Sequence, residues 1–348
     1  MKIAVLLSGG VDSSVALRLL KEEGHDLTAY YLKIWLQDEF SFLGDCPWEE
    51  DLKYARDVCD QADVELKVLP LQEEYWASVV SYTIDEIKEG RTPNPDIYCN
   101  SLIKFGQFYE KIDSSFDKVA SGHYAGVINE NDLYKLKCSP DPVKDQTYFL
   151  AYLTQAQISR ALFPLNKYMK KDVRELAEKY SLPTMHRRDS QGICFLGQIK
   201  FNEFVKHHLG EIPGDIIDVD SGKILGKHHG YYYFTIGQRS GLGLSGGPWY
   251  VVNKDVKENL IYISRENKAM RERKIFDVGK FNWIADKPSG KNLRVKIRHG
   301  ARFYDCSLEI EKEEGIVRLK EADQGIAPGQ FAVFYENDYC LGGAVIIS

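Results

Sequence analysis

The feature that most constrains this chain is a seven-residue turn, Ser8-Gly9-Gly10-Val11-Asp12-Ser13-Ser14, set between an apolar run and an amphipathic stretch. The run KIAVLL has strand length, and VDSSVALRLLKEEG carries apolar residues at helical spacing until Gly24 stops it. Two glycines let the backbone turn tightly and bring its N–H groups against a ligand. The helix N-terminus behind them adds donors and a positive dipole end, which together suit a phosphate. The hydroxyls of Ser8, Ser13 and Ser14 can donate to phosphate oxygens, while Asp12 either helps hold a magnesium ion or caps the helix. No lysine follows the glycines, so this is not a Walker loop.

Strand and helix signals go on alternating through residue 200. LTAYYLKIW reads as a strand, WEEDLKYARDVCDQA as a helix and VELKVLPL as a strand. YWASVVSYTIDEIKEG reads as a helix, KVASGHYAGVI as a strand, and KKDVRELAEKYSL as a helix stopped by Pro183. Such alternation predicts a parallel α/β sheet covered on both faces. The texture changes after FNEFVKHHLG, first to a turn-rich, tyrosine-rich stretch and then, from about residue 271, to short regular strands that suggest a small barrel. Three domains follow: 1–200 α/β, 201–270 small and mixed, 271–348 a β-barrel. Gly241-Leu-Gly243-Leu-Ser-Gly246 matches a dinucleotide fingerprint, but Pro248 and a strand-like run follow it where a helix is needed, so it is set aside. Tyr232, Tyr233 and Phe234 read as core rather than as a platform for stacking bases.

With 44% hydrophobic and 28% charged residues the composition is that of a soluble globular protein, and no apolar run approaches the ~20 residues of a membrane helix. The start of the chain offers no leader pattern, so the expected compartment is the cytoplasm. The net charge of −6 hides an asymmetry: residues 1–100 carry 9 basic and 20 acidic side chains, whereas residues 160–200 carry 9 basic and 4 acidic. A polyanion would dock on the later portion. The seven cysteines are scattered without a C-x-x-C pair, which argues against a disulfide scaffold and a zinc site, and no metal ligands are assigned.

Two of those cysteines sit in distinctive surroundings. Pro93-Asn94-Pro95-Asp96-Ile97-Tyr98-Cys99-Asn100 puts a carboxylate three residues before a thiol, in what the two prolines suggest is an extended loop. Asp189-Ser190-Gln191-Gly192-Ile193-Cys194-Phe195 puts a second thiol near Arg187 and Arg188, whose charge favours a thiolate. Only the fold can unite positions this far apart. On residue type alone each is more often a core thiol; beside a nucleotide loop the pair gains weight as chemistry.

SGGxDS after a first strand resembles the pyrophosphate (PP) loop of ATP pyrophosphatases, which cleave ATP between its α- and β-phosphates. The ordered set SGGVDSS, GRTPNPDIYCN, ASGHYA, KDQTYFL, DSQGICF, TIGQRSGLG and PGQFAVFY is similar, over essentially the whole chain, to the tRNA-specific 2-thiouridylase (MnmA) family. The resemblance implies a Rossmann-like PP-loop domain, a small central domain and a C-terminal barrel. It implies an enzyme that makes 2-thiouridine at the wobble position of tRNAs for lysine, glutamate and glutamine. ATP, with Mg2+, would sit on Leu6, Leu7, Ser8, Gly9, Gly10, Val11, Asp12 and Ser13. Leu32, often methionine in the family, and Gly122 would lie near the adenosine. Cys194 would carry a persulfide received from a sulfur donor such as a cysteine desulfurase or a sulfur-relay protein, and Cys99 would be its partner thiol. Asn94, Pro95 and Asp96 would surround the target uracil, with Asp96 the acid/base. His123, Lys144, Asp145, Gln146 and Gln330 would contact tRNA. The family's Arg-Tyr pair stands here as Arg298-His299, which leaves the second contact open.

The chemistry expected is transfer of AMP to the C2 oxygen, then sulfur delivery, either directly from the persulfide or as hydrosulfide freed by Cys99. A variant scheme has Asp96, Cys99 and Cys194 ligating an iron–sulfur cluster. Two rivals remain: another PP-loop ligase that uses an amine or ammonia, and an RNA-binding protein that merely retains an ATP loop. Cys46, in the acidic segment 38–51, reads as incidental.

Overall fold

In the first strand, β1 (Lys2–Leu6), Ile3 and Val5 face one way and Ala4 and Leu6 the other, and all four are buried. A strand apolar on both sides has to lie in the middle of a sheet covered twice. The computed structural model describes residues 1–34, 48–189, 201–266, 273–285, 287–288, 293–323 and 325–348. It places β1 at the centre of a five-stranded, all-parallel sheet. From β1 the chain runs through α1 (Val11–Glu22), β2 (Asp26–Lys33), α2 (Trp48–Ala62) and β3 (Glu65–Pro70). The next helix, α3, is continuous through Gln72–Tyr75, a π-wound stretch Trp76–Val80, and Ser81–Lys88. Helix α4 does the same through Pro95–Tyr98, Cys99–Gln107 and Phe108–Lys111. Strand β4 (Lys118–Ala120) then enters beside β1.

The sheet order is β3-β2-β1-β4-β7, where β7 is Ala161–Leu162. The order reverses between β1 and β4, and in open parallel sheets ligands bind off the strand ends at that switch point. The nucleotide loop leaves β1 and Gly122 follows β4 at this crevice. On one face Ile3, Val5, Leu17, Leu27 and Val58 pack together, and on the other Leu6, Ile97, Phe105 and Phe108 do.

The stretch expected as one strand, KVASGHYAGVI, divides. After β4 the chain crosses into the hairpin β5 (Ala125–Glu130) and β6 (Leu133–Cys138), and β6 pairs with the last strand of the chain, Cys340 opposite Leu136. The crossing Ser121-Gly122-His123-Tyr124 is not strand, and the hairpin interrupts the alternation before β7. Two short helices follow, α5 (Gln155–Arg160), closed by a capping box at Thr154, and α6 (Lys170–Lys179). Helix α6 packs on α1 through Val173 and Ala177 against Val11 and Val15. That contact sets the two helix N-termini side by side.

Helix α7 (Phe201–Leu209) leads into a four-stranded sheet of β8 (Gly214–Asp218), β9 (Ile224–His228), β10 (Tyr250–Asp255) and β11 (Leu260–Ser264). Phe234, Trp249 and Ile261 fill its core, and Tyr232 is also buried. The glycine-rich stretch 241–246 runs straight to β10 without a helix. The last strands are β12 (Arg273–Trp283), β13 (Leu293–Lys296), β14 (Tyr304–Glu311), β15 (Glu314–Asp323), β16 (Phe331–Glu336) and β17 (Tyr339–Ile346). These six antiparallel strands close into a barrel through β12–β17 pairing. Among the described residues no helix is long and apolar enough to cross a membrane.

Candidate active site

The turn after β1 is tied by its own hydroxyls. Ser13 and Ser14 each donate to the Gly10 carbonyl (3.1 and 2.8 Å), and the Ser8 amide donates to the Ser13 hydroxyl (3.3 Å). Gly9 has φ +75°, and a Cβ there would lie 2.2 Å from the Asp51 carbonyl oxygen. A Cβ on Gly122 would lie 2.6 Å from the Ser13 nitrogen. Both glycines are therefore required by close backbone approach as well as by turning. Leu6 and Leu7 are buried beneath the loop, and Leu32 lies near the end of β2, opposite Leu69.

Charged side chains from distant segments converge on this loop. Lys170 holds both oxygens of Asp12 (2.8 and 2.9 Å), and the Tyr124 hydroxyl donates to the same carboxylate (2.7 Å). Lys170 also reaches Asp189 (2.8 Å), which takes a second bond from Lys144 (2.6 Å) and a third from Arg174 (2.5 Å). Burial works against ionising Asp189, but hydrogen bonds from Lys144 and Lys170 outweigh it and hold its carboxyl well below the usual range. Arg187 donates to the Gly9 carbonyl and to Asp51, at 2.7 Å each. The basic stretch expected to grip a polyanion thus turns Lys170, Arg174 and Arg187 inward, to the nucleotide loop. Arg187, expected to favour a Cys194 thiolate, is bonded to the loop, and Cys194 itself lies outside the described residues.

A second group forms where α4 begins under the barrel. Pro95 does not extend a loop; it opens the helix, as proline favours the first helical position, where no N–H partner is needed. Cys99 is consequently on a helix, at the junction between its first turn and the π-wound stretch. It is 1% exposed, packed with Leu71, Tyr75, Ile103 and Phe204. Burial pushes its thiol up, while Lys104 and a hydrogen bond with Tyr75 pull the other way. Cys194 and Cys46 lie outside the described residues, so the distance from Cys99 to Cys194 is not part of this geometry.

The barrel clamps the segment before α4. Gln330 donates to the carbonyls of Thr92 (3.2 Å) and Pro93 (3.0 Å) and accepts from Asn94 (3.4 Å). The Thr92 amide donates to the Pro328 carbonyl (2.9 Å). On the first turns of α4 the Oδ1 atoms of Asp96 and Asn100 are both buried without a hydrogen-bond partner. They are one helical turn apart and so share a face. His299 stacks on Phe149 (4.6 Å between centroids, 26°), donates from Nε2 to the Asp145 carbonyl (3.2 Å), and feels the Asp96 charge. Two orphaned acceptors beside an aromatic pair are what a base with an N–H edge would satisfy.

Not every expected contact lies on a surface. His123 is buried between Phe105 and Phe163, bonded to Ser121 (2.7 Å), and burial drives its pKa well down. Asp145 forms an ion pair with Lys296 (2.8 Å), both buried, which fastens the first domain to the barrel. Gln146 accepts from the Tyr124 amide (2.9 Å), and Arg298 is held by Asp323 (2.7 and 3.0 Å). Sequence reasoning missed Lys170, Tyr124, Asn100 and Phe149. Asn100, Tyr124 and Phe149 stood in motifs already singled out, GRTPNPDIYCN, ASGHYA and KDQTYFL; nothing local marks Lys170.

Family models match the chain end to end: "tRNA methyl transferase HUP domain" over residues 1–198, "tRNA methyl transferase PRC-barrel domain" over 202–265, and "Aminomethyltransferase beta-barrel domain" over 273–346. A protein of Parabacteroides distasonis named tRNA-specific 2-thiouridylase MnmA is 45% identical, over 100% of this chain and 99% of its own length. The chain belongs to the tRNA-specific 2-thiouridylase (MnmA) family. Two other MnmA proteins, from Bacteroides thetaiotaomicron and Porphyromonas gingivalis, are 46% and 43% identical, each over 99% of both chains. MnmA membership accounts for the order of the pieces: PP-loop domain, small central domain, closed barrel.

Proposed function

We propose that this chain is a tRNA-uridine 2-sulfurtransferase that spends ATP to exchange the C2 oxygen of the wobble uridine for sulfur, in tRNAs for lysine, glutamate and glutamine. The observation that carries the reading is the pairing, in a chain that matches an MnmA relative over its whole length, of a phosphate-type loop at the sheet's switch point with the barrel-clamped Asn94 segment and the partnerless buried acceptors of Asp96 and Asn100.

The uracil oxygen is a poor leaving group. Attack of that oxygen on the α-phosphorus of ATP expels pyrophosphate and leaves an adenylate, which departs as AMP. Backbone N–H groups of residues 9–13 and the Lys144 ammonium stabilise charge gathering on the phosphates. Asp96 accepts or returns the base proton. The Cys194 persulfide attacks C2 and AMP leaves; Cys99 then attacks the Cys194 sulfur, freeing the thiocarbonyl and leaving a Cys99–Cys194 disulfide for an external thiol to reduce. Alternatively Cys99 first releases hydrosulfide, which attacks C2. For Cys99 to take part, its helix turn has to expose a sulfur that is sealed in apolar packing.

A magnesium ion fits as one carried in on the nucleotide phosphates, since Asp12 is the single carboxylate in the loop and is bound to Lys170. It would neutralise polyphosphate charge. Of the three ligands of the iron–sulfur variant, Cys194 lies outside the described residues, and the Cys99 sulfur is enclosed by apolar side chains. No step is routed through such a cluster.

Nucleoside mass spectrometry of bulk tRNA, after incubation with ATP and a persulfide source, tests the reading. It expects 2-thiouridine only when both are present. Nitrogen in place of oxygen would favour an amine-using ligase, and ATP turnover independent of tRNA would remove the modifying role.

A further inference from the structure

A phosphate loop without its own lysine has to find its cation elsewhere, and this loop carries an extra burden, because Asp12 puts a negative charge among the very residues that would meet a polyphosphate. A helix N-terminus supplies only about half a positive charge, far short of a triphosphate. Lys170 meets the need. It comes from the first position of α6, 158 residues further on, and is brought to Asp12 by the packing of α6 on α1.

Its placement is built rather than incidental. Asp141, itself buried, accepts from the Lys170 amide with one oxygen (3.0 Å) and from the Val143 and Lys144 amides with the other (3.0 and 3.1 Å). One carboxylate thus fixes the backbone under both lysines. Their ammonium groups then meet on Asp189, with Arg174 as a third partner. Three cations, Lys144, Lys170 and Arg174, thus gather with Asp12, Asp141 and Asp189 beside the phosphate turn. Lys170 is only 14% exposed and bridges the two acids, so loss of one bond leaves it tethered by the other.

We propose that Lys170 is the polyphosphate-binding cation of this nucleotide site, turning from Asp12 to the phosphates when ATP binds while Asp189 keeps it in place. The inference rests on the ATP-dependent reading above and adds Lys170 to Lys144 as a cation for the phosphates. Asp12, released, becomes available to the nucleotide's magnesium.

Calorimetric binding of Mg-ATP, pyrophosphate and adenosine to the full-length protein separates this from a merely structural role. In Lys170→Met the affinities for Mg-ATP and pyrophosphate fall by about tenfold or more, as expected for losing a charge-assisted contact, while adenosine binding stays within about twofold. Lys170→Arg recovers most of the loss. If Lys170→Met binds ATP like wild type, or loses ATP and adenosine in parallel, the proposal is overturned. Should that variant not fold, Asp189→Asn carries the same comparison: a selective loss for the two phosphate ligands supports the proposal, and a uniform or absent loss overturns it. Failure of tRNA thiolation with Lys170-dependent ATP binding intact would sink the sulfurtransfer reading and leave this one standing.

Discussion

The nucleotide loop and the thiol-bearing helix α4 make an instructive contrast. The loop's backbone is a local object: one strand, one turn, one helix, with the serine hydroxyls tied back to it. The side chains bonded to the loop, Tyr124, Lys170 and Arg187, come from distant segments. The region around α4 is a composite. Its first turn is clamped by Gln330 of the barrel, its orphaned acceptors lie near Phe149 and His299, and its thiol is sealed under Leu71 and Phe204. A local site can be ready before its ligand arrives. A composite one can be closed until a large ligand rearranges it, which suits a pocket meant for one base of a folded RNA.

Several changes would break or sharpen that contrast. The largest effect belongs to the thiols: Cys194→Ser and Cys99→Ser should each cut 2-thiouridine formation by about a hundredfold or more while tRNA-dependent pyrophosphate release continues. Equal loss of both readouts would mean the two sites are not separable. Next comes Lys296→Met, which leaves Asp145 charged and buried without its partner. It should lower stability by about 3–5 kcal/mol in chemical denaturation, and the double change with Asp145→Asn should recover part of that. Gly122→Ala forces a Cβ to within 2.6 Å of the Ser13 nitrogen, so about 2–3 kcal/mol of stability and much of the ATP affinity should go together. A smaller effect is pH-dependent. The folded carboxyl of Asp189 is depressed, so its contribution is fully present above the unfolded value of about 3.9 and fades as pH falls below it. Asp189→Asn should flatten that part of a stability-versus-pH curve. Smallest is Gln330→Ala, expected to raise the apparent KM for tRNA a few-fold with little change for ATP, as the Asn94 segment loses its barrel clamp.

The same contrast explains what could be read in the sequence. SGGVDSS announces a strand, a turn and a helix within fourteen residues, and the structure has all three where the pattern puts them. A small C-terminal barrel was also legible, from short strands at regular spacing, but its strand count was not: β16, for one, is buried on both faces and shows no alternation. Pro95 misled because proline after an extended residue looks the same whether a loop continues or a helix begins. The hairpin β5–β6 was invisible as a piece of the barrel's sheet, because its partner strand lies some 200 residues away. Lys170 could be seen only as part of a basic stretch, and Asp189 only as the head of DSQGICF, without a role. That their charge faces inward follows from the α1–α6 contact, which no local pattern encodes. Family resemblance supplied what periodicity could not, naming Asn94 and Asp96 around the uracil and, separately, Gln330 as a tRNA contact; that Gln330 clamps the Asn94 segment is visible only in the fold.

The reaction the two regions would share moves one atom in a diagnostic way, because the oxygen removed from the uracil has to leave on phosphorus. tRNA carrying a heavy-oxygen label at C2 of the wobble uridine, incubated with ATP and a persulfide donor, should yield AMP that bears the label in proportion to the 2-thiouridine formed. Label recovered in water or pyrophosphate, with unlabelled AMP, would contradict the account.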